Sequence, residues 1–439
     1  MTIRREAGMT GGAGGASPQQ AVRPAHPWWP TLCVLSVIIV SEFQFRMRGY
    51  QESLSGSPDL FVLLEVATYG GVALFLFLRF RPRPRIVPPP AGLSCYLLGY
   101  GFGCVLILSA AYSPFPMLAM VRAGQVVVVL ALFAAIARYA DRGALHRVAH
   151  AYCALMAAAV VFGILVPFPR ETQPDRFSWL YVHPVQAGEM LATAVTVLSA
   201  YLFTLRLERP GPRWPLWAYL LCLGLCAGGL LATQTRGAVF GAAVGATFVL
   251  WTRHRGSRKV DVAAVSTLVL MLIALTSWST VTDFFARGES AERLASLNSR
   301  TDLWALAMEQ MAQYPLYGSG LAASRGVFLD SMGLGGGHNA LVNLLVDNGI
   351  LGAAAWLGLL AVIGVAATRL AGRAEVSRVD GILVLSVLAG MVANSVFTEE
   401  LGTPANAAFT WLYVLLAWVL VAGVRRGEPA GTRAIREGR

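Results

Sequence analysis

His338 follows a glycine-rich stretch (Gly333, Gly335, Gly336, Gly337) and precedes an apolar-periodic segment with Leu341, Leu344 and Leu345 on one side, which puts His338-Asn339 at the amino terminus of a helix. The positive end of a helix dipole disfavours imidazolium, exposed N–H groups there can receive an anion, and proton abstraction needs a neutral ring. The plainer alternative for His338 is a polar cap at a membrane interface. Arg236 lies in Thr233-Gln234-Thr235-Arg236-Gly237, a turn of a few residues between two apolar stretches, so its guanidinium sits at or just inside an interface. Arg300 opens a capped helix, Arg122 follows Ser113-Pro114-Phe115-Pro116 near the end of an apolar stretch, and Arg176 precedes another. Guanidinium forks bind phosphate bidentately and keep their charge, so several converging ones imply a phosphorylated ligand; the alternative for any one of them is snorkelling to lipid phosphates.

Acids inside or beside apolar stretches (Glu42, Glu65, Glu189) are candidates for function or for pairing with an arginine, and Glu399-Glu400 form a pair near the carboxyl end. No Asp-x-Asp or histidine-rich spacing suggests a metal, and no cofactor is expected. The six cysteines (Cys33, Cys95, Cys104, Cys153, Cys222, Cys226) all fall in apolar stretches, which argues for packing rather than a disulfide framework or a zinc site.

The elements that must position these residues follow from composition. The 439-residue chain is 56% hydrophobic and 13% charged, against roughly 25% charged in soluble domains. Its mean hydropathy is +0.59. Disorder, collagen and soluble enzymes are excluded, leaving an all-α polytopic membrane protein, because a span needs about 20 mostly apolar residues with every backbone polar group paired. Twelve such stretches lie near 28–45, 59–78, 92–112, 117–137, 148–168, 184–205, 214–233, 237–252, 261–281, 349–368, 379–397 and 406–424.

With the amino terminus inside, 25 of the 35 basic residues fall in cytoplasmic segments, for instance Arg79, Arg81, Arg83 and Arg85, or Arg253, Arg255, Arg258 and Lys259. The positive-inside bias therefore makes both termini cytoplasmic. The net charge of +11 reads as topology plus attraction to anionic lipid headgroups, with no argument for nucleic acid. Of the histidines, His26, His146, His150 and His254 then face the cytoplasm, leaving His183 and His338 outside. The chain divides into a disordered tail without signal-peptide features (1–27), spans one to nine (28–282), a helical outer loop carrying the site (283–348), spans ten to twelve (349–424) and a second tail (425–439).

The long outer loop carries its own helix signals. Ser299 precedes Arg300 to Gln313 in a capping-box arrangement with Asp302, and Leu303, Leu306, Ala307 and Met311 recur at helical spacing. Tyr314-Pro315 ends that helix and a Gly318-Ser319-Gly320 turn follows.

The string Gly318-Ser319-Gly320, then Gly337-His338-Asn339-Ala340-Leu341, with Gly349 eleven residues after the histidine, resembles the signature of the O-antigen ligase and polymerase superfamily. Thr233 to Gly237, Asn298-Ser299-Arg300 with Trp304, and the Ser113 to Arg122 stretch extend the likeness over roughly residues 113 to 400. An Arg-x3-Leu element of some ligases departs here, since Phe240 follows Arg236 at that spacing. The resemblance implies a ligase of the Gram-negative inner membrane, acting in lipopolysaccharide biosynthesis on the periplasmic face. It would transfer an O-antigen glycan from undecaprenyl pyrophosphate to a sugar hydroxyl of lipid A-core, without metal and with inversion. His338 maps to the catalytic histidine and Arg236, Arg300 and, more weakly, Arg122 to the pyrophosphate contacts; Arg176, His183 and Asn339 are further substrate-contact candidates.

The rival readings are an O-antigen polymerase and a protein O-oligosaccharyltransferase, which share fold and chemistry. A secondary transporter or flippase would show two related six-span halves and a long central cytoplasmic link, and the link here is only Arg206 to Arg213.

Overall fold

The computed structural model describes residues 28–43, 59–80, 90–168, 175–254, 260–261, 300–333, 335–373 and 375–423. Both expected tails, the ninth span beyond Asp261, and the loop stretch 283–299 with its Ser299 cap lie outside the described residues. Among the described residues every regular element is a helix: α1 Trp29–Glu42, α2 Leu60–Arg79, α3 Pro90–Ser109, α4 Pro116–Tyr139, α5 Arg142–Leu165, α6 Pro184–Phe203, α7 Leu216–Ala232, α8 Arg236–Arg253, α9 Arg300–Gln313, α10 Ala323–Met332, α11 Ala340–Ala371, α12 Glu375–Ser395 and α13 Ala407–Gly423. Seven of these are long and apolar enough to cross a membrane, and α1, α7 and α13 are shorter apolar helices.

The helices begin where the local chemistry allows. Asp59 accepts hydrogen bonds from Phe61 N and Val62 N at 2.9 and 2.8 Å ahead of α2. Asp141 accepts from Ala144 N at 2.6 Å, so α5 starts at Arg142 rather than at 148, where its apolar run begins. Packing is uneven. The last helix, α13, is buried almost throughout, whereas α2 is buried only at Tyr69, Val72 and Leu76 and presents the rest of its surface outward, as a lipid-facing helix does.

Contacts at the helix ends define two faces. On one, Glu42 at the end of α1 accepts from Ala407 N at the start of α13 (2.6 Å), and Thr235 Oγ1 before α8 donates to Pro184 O at the start of α6 (3.0 Å). On the other, Asp380 of α12 gathers α5 and α13: Arg142 donates to it, Trp418 Nε1 donates at 2.9 Å and His146 Nε2 lies 3.0 Å away. Arg378 Nη2 donates to Arg253 O at 2.7 Å on that same face.

The tenth span and the loop helix before it form one element, broken at Gly349 (φ 61°, ψ −161°). The break is stitched rather than left open. Ile350 N and Leu351 N donate to Pro315 O and Leu316 O at 2.9 and 3.1 Å, while Ser319 N and Gly320 N donate to Val346 O and Asp347 O at 2.8 Å each. A Cβ on Gly349 would stand 2.5 Å from the Leu316 carbonyl carbon, and one on Gly318 2.5 Å from Asn348 N, with φ positive at both. The Gly-Ser-Gly turn and the glycine eleven positions after His338 are thus two halves of one backbone junction. The second helix of the loop, α10, has no counterpart among the sequence expectations. Its start is held from afar by Asp347, which accepts from Ala322 N and Ser324 N at 3.2 and 2.6 Å.

Candidate active site

The site residues come from four segments that share one hub, the connection from Val396 to Asn406 between α12 and α13. Asn339 caps α11 by accepting from Val342 N (3.1 Å) and uses its Nδ2 to donate to Val396 O (3.1 Å). The helix cap is therefore Asn339, with His338 one position ahead of it in a left-handed conformation (φ 49°). His338 Nδ1 lies 3.8 Å from Glu399 Oε2, with the two side chains 36% and 26% exposed. Beside it, Gly337 is fixed from both sides, its N–H donating to Asn343 Oδ1 (2.8 Å) and its carbonyl accepting from Trp304 Nε1 of α9 (3.1 Å). A Cβ on Gly336 would stand 2.5 Å from Glu399 Oε1, so the glycine run is what lets the carboxylate approach the histidine.

Arg236 is the first residue of α8, half-buried, next to the same connection. A Cβ on Gly237 would meet Phe397 Cβ at 2.7 Å, and Phe240 packs edge-on to Phe397 at 5.9 Å between ring centroids. The turn before Arg236 is buried and braced: Thr233 and Thr235 are almost fully enclosed, and Arg176 donates to Thr233 O (2.8 Å) and Thr235 Oγ1 (3.0 Å). Gln234 between them is left-handed (φ 51°). Arg122 of α4 reaches the far end of the hub, with Nη1 3.4 Å from Ala405 O, 3.1 Å from Gln125 Oε1 and 3.5 Å from Glu65. Ala405 is left-handed as well (φ 63°). Non-glycine residues in that region cost about 1–3 kcal/mol each and collect where surrounding structure enforces a functional geometry; Gln234, His338 and Ala405 all flank this site.

Under the hub lies a layer of acids. Glu189 Oε1 accepts from Asn394 Nδ2 (2.7 Å) and Thr398 Oγ1 (3.3 Å), tying α6 to the end of α12. Glu400 is hydrogen-bonded to Glu189, and burial, together with the charges of Glu189 and Glu42, holds its carboxyl well above the usual carboxylate range. A protonated Glu400 donating to the Glu189 carboxylate is the arrangement this favours.

Of the residues expected from sequence, His338 and Asn339 contact the hub, Arg236 precedes the Gly237 that packs against it, and Arg122 touches its far end. Arg176 braces the turn that presents Arg236. His183 caps α6, its Nδ1 accepting from Val185 N at 3.2 Å. Arg300 is the first residue of α9, the helix whose Trp304 anchors Gly337, and its backbone alone is described. The residues sequence reasoning missed are Val396, Phe397 and Asn343; Glu399 was signalled only as one of the Glu399-Glu400 pair, and Trp304, part of the resemblance, was given no role at Gly337. Among the described residues no group of three or more His, Cys, Asp or Glu is arranged to hold a metal ion.

Comparison with known proteins adds one decisive match: residues 220–357 fit the family described as O-antigen ligase. Residues 220–357 are thus similar to that family. The matched segment runs from α7 through the kink of α11 and contains Arg236, Arg300, His338 and Asn339, while Arg122, Arg176, His183 and the hub lie outside it. No curated protein matches the chain. O-antigen ligase family members are lipid-linked glycan transferases of membranes, and the apolar helices described above agree with that general role.

Proposed function

We propose that this protein is the O-antigen ligase proper, moving a finished glycan from undecaprenyl pyrophosphate to a sugar hydroxyl of lipid A-core at the periplasmic face of the inner membrane. The observation that carries the reading is the convergence of His338, Asn339 and Gly237, the residue next to Arg236, on the four residues Val396 to Glu399. The orientation rests on charge: Arg138, Arg142, Arg253, Arg369, Arg373 and Arg378 sit at helix ends away from His338, as a cytoplasmic face requires.

In the proposed reaction the acceptor oxygen attacks the anomeric carbon, its proton passes to His338, and the bond from that carbon to the pyrophosphate oxygen breaks from the opposite face, inverting the centre. The electron pair leaves on undecaprenyl pyrophosphate, whose charge Arg236 and Arg300 stabilise. Arg122, paired with Glu65, is a further candidate for contacting the pyrophosphate. Because Nδ1 of His338 faces Glu399, Nε2 is the nitrogen placed to take the proton. The sugar pyrophosphate is already activated, so the transfer is proposed to need no metal: incubation with EDTA is expected to leave the rate unchanged, and a loss restored by a divalent ion would refute this.

Ligase and polymerase differ in acceptor, so the test is to give purified protein the lipid-linked glycan with and without lipid A-core. Transfer that depends on the core supports the ligase reading; laddering without it would assign polymerase activity instead.

A further inference from the structure

At the end of the bundle remote from His338, α1 and α2 part to leave a cleft of about 420 Å³ lined by Trp29, Leu32, Cys33, Ser36, Thr68, Gly71, Val72 and Phe75. Its place in depth follows from contacts already described. Glu42, at the far end of α1, touches the start of α13 beside the catalytic hub, so Trp29 lies about 20 Å away along the 14-residue helix. The cleft therefore occupies the half of the bilayer opposite the active site, and it stands apart from the glycan chemistry proposed above.

Two features say what fills it. Its walls are almost wholly apolar, its volume falls in the ~300–1,000 Å³ range of ligand pockets, and both of its walls carry exposed apolar side chains, Leu32 on α1 and Phe75 on α2. Its mouth is cationic and aromatic. Trp29 lies 4.8 Å from Phe80, and Phe80 stacks on Tyr139 at 4.5 Å. Arg79 lies over the Phe80 ring at 5.8 Å and Arg138 over Tyr139 at 5.4 Å, so each ring of the aromatic stack carries a guanidinium group. A zwitterionic phospholipid also offers a phosphate, but its ammonium offsets that charge, so the paired positive charge favours a lipid of net negative charge.

From this we infer that the α1–α2 cleft is a binding site for one acyl chain of an anionic glycerophospholipid, whose phosphate is held by Arg79 and Arg138. The cations sit where such a lipid carries its charge, and the cleft begins one aromatic ring below them.

Native mass spectrometry of the full-length protein released from nanodiscs of equal parts phosphatidylethanolamine and phosphatidylglycerol tests this. Wild type is expected to retain phosphatidylglycerol in preference to phosphatidylethanolamine. Arg79→Ala and Arg138→Ala are each expected to weaken that retention about fivefold. Gly71→Leu fills the cleft, while Gly70→Leu, adjacent and outside it, serves as a control; a Cβ at either position meets nothing within 4 Å, and thermal unfolding of both variants checks that they fold. Loss of the retained lipid in Gly71→Leu and its persistence in Gly70→Leu support the site. Equal retention by the two, equal retention of both phospholipids by wild type, or selective retention of added undecaprenyl phosphate would overturn it. Glycan transfer is not the readout, so the result stands whichever acceptor the enzyme uses.

Discussion

Glu399 gives His338 a direction. A carboxylate 3.8 Å from Nδ1 is beyond hydrogen-bond distance but close enough to favour the tautomer that leaves Nε2 free for the acceptor. Glu399→Gln is expected to lower kcat on the order of tenfold, well below the ~10²–10⁴ contributed by a general base, with KM for the donor unchanged; a raised donor KM with kcat unchanged in steady-state transfer assays would instead give Glu399 a binding role. Glu400, one residue on, has a different task. Its carboxyl is held protonated by burial and by Glu189 and Glu42, so folding favours the neutral form. A raised carboxyl means the folded state binds more protons above the ordinary carboxylate range, and stability falls as pH rises from there toward the folded value. Thermal unfolding between pH 5 and pH 8 is expected to show wild type losing stability with rising pH and Glu400→Gln losing less; parallel slopes would contradict the assignment. The histidine and Arg236 were legible in the sequence because glycines and a short inter-span turn mark them. Their partners were not, because Glu399 and Val396 reach them only through the packing of α12.

Elements were legible where length and hydropathy decide, and obscure where a junction does. The apolar stretches foretell the helices α1 to α8 and α11 to α13, since lipid demands unbroken helix. Helix α10 escaped because its amino terminus has no local cap; the N–H groups of Ala322 and Ser324 are satisfied by Asp347, more than twenty residues later. The junction at Gly349 was visible as a motif glycine but not as a kink. Its positive φ and the 2.5 Å approach to Leu316 leave no room for a side chain. Gly349→Ala is expected to cost about 1–3 kcal/mol and, by displacing α11's first turns, to reduce transfer more than it reduces the melting temperature of the bundle. Full activity with unchanged thermal unfolding would show that the kink does not position Asn339 and His338.

At the scale of the whole molecule the two faces are built differently. One ends in a buried clamp, Asp380 with Arg142, His146 and Trp418, which gathers α5, α12 and α13. The other ends in the Val396 to Asn406 connection, a partly exposed surface where positive-φ residues and half-buried cations collect. A buried clamp at one end and a partly exposed polar surface at the other fit the proposed reaction between two membrane-anchored substrates. In the proposed function Arg236 holds the donor diphosphate and His338 takes the proton. Measuring undecaprenyl pyrophosphate binding and single-turnover glycan transfer in wild type, Arg236→Ala and His338→Ala tests it most directly. The prediction is that His338→Ala binds the donor like wild type yet transfers about 10²-fold or more slowly, whereas Arg236→Ala loses donor affinity. Near-normal transfer by folded His338→Ala would contradict the account.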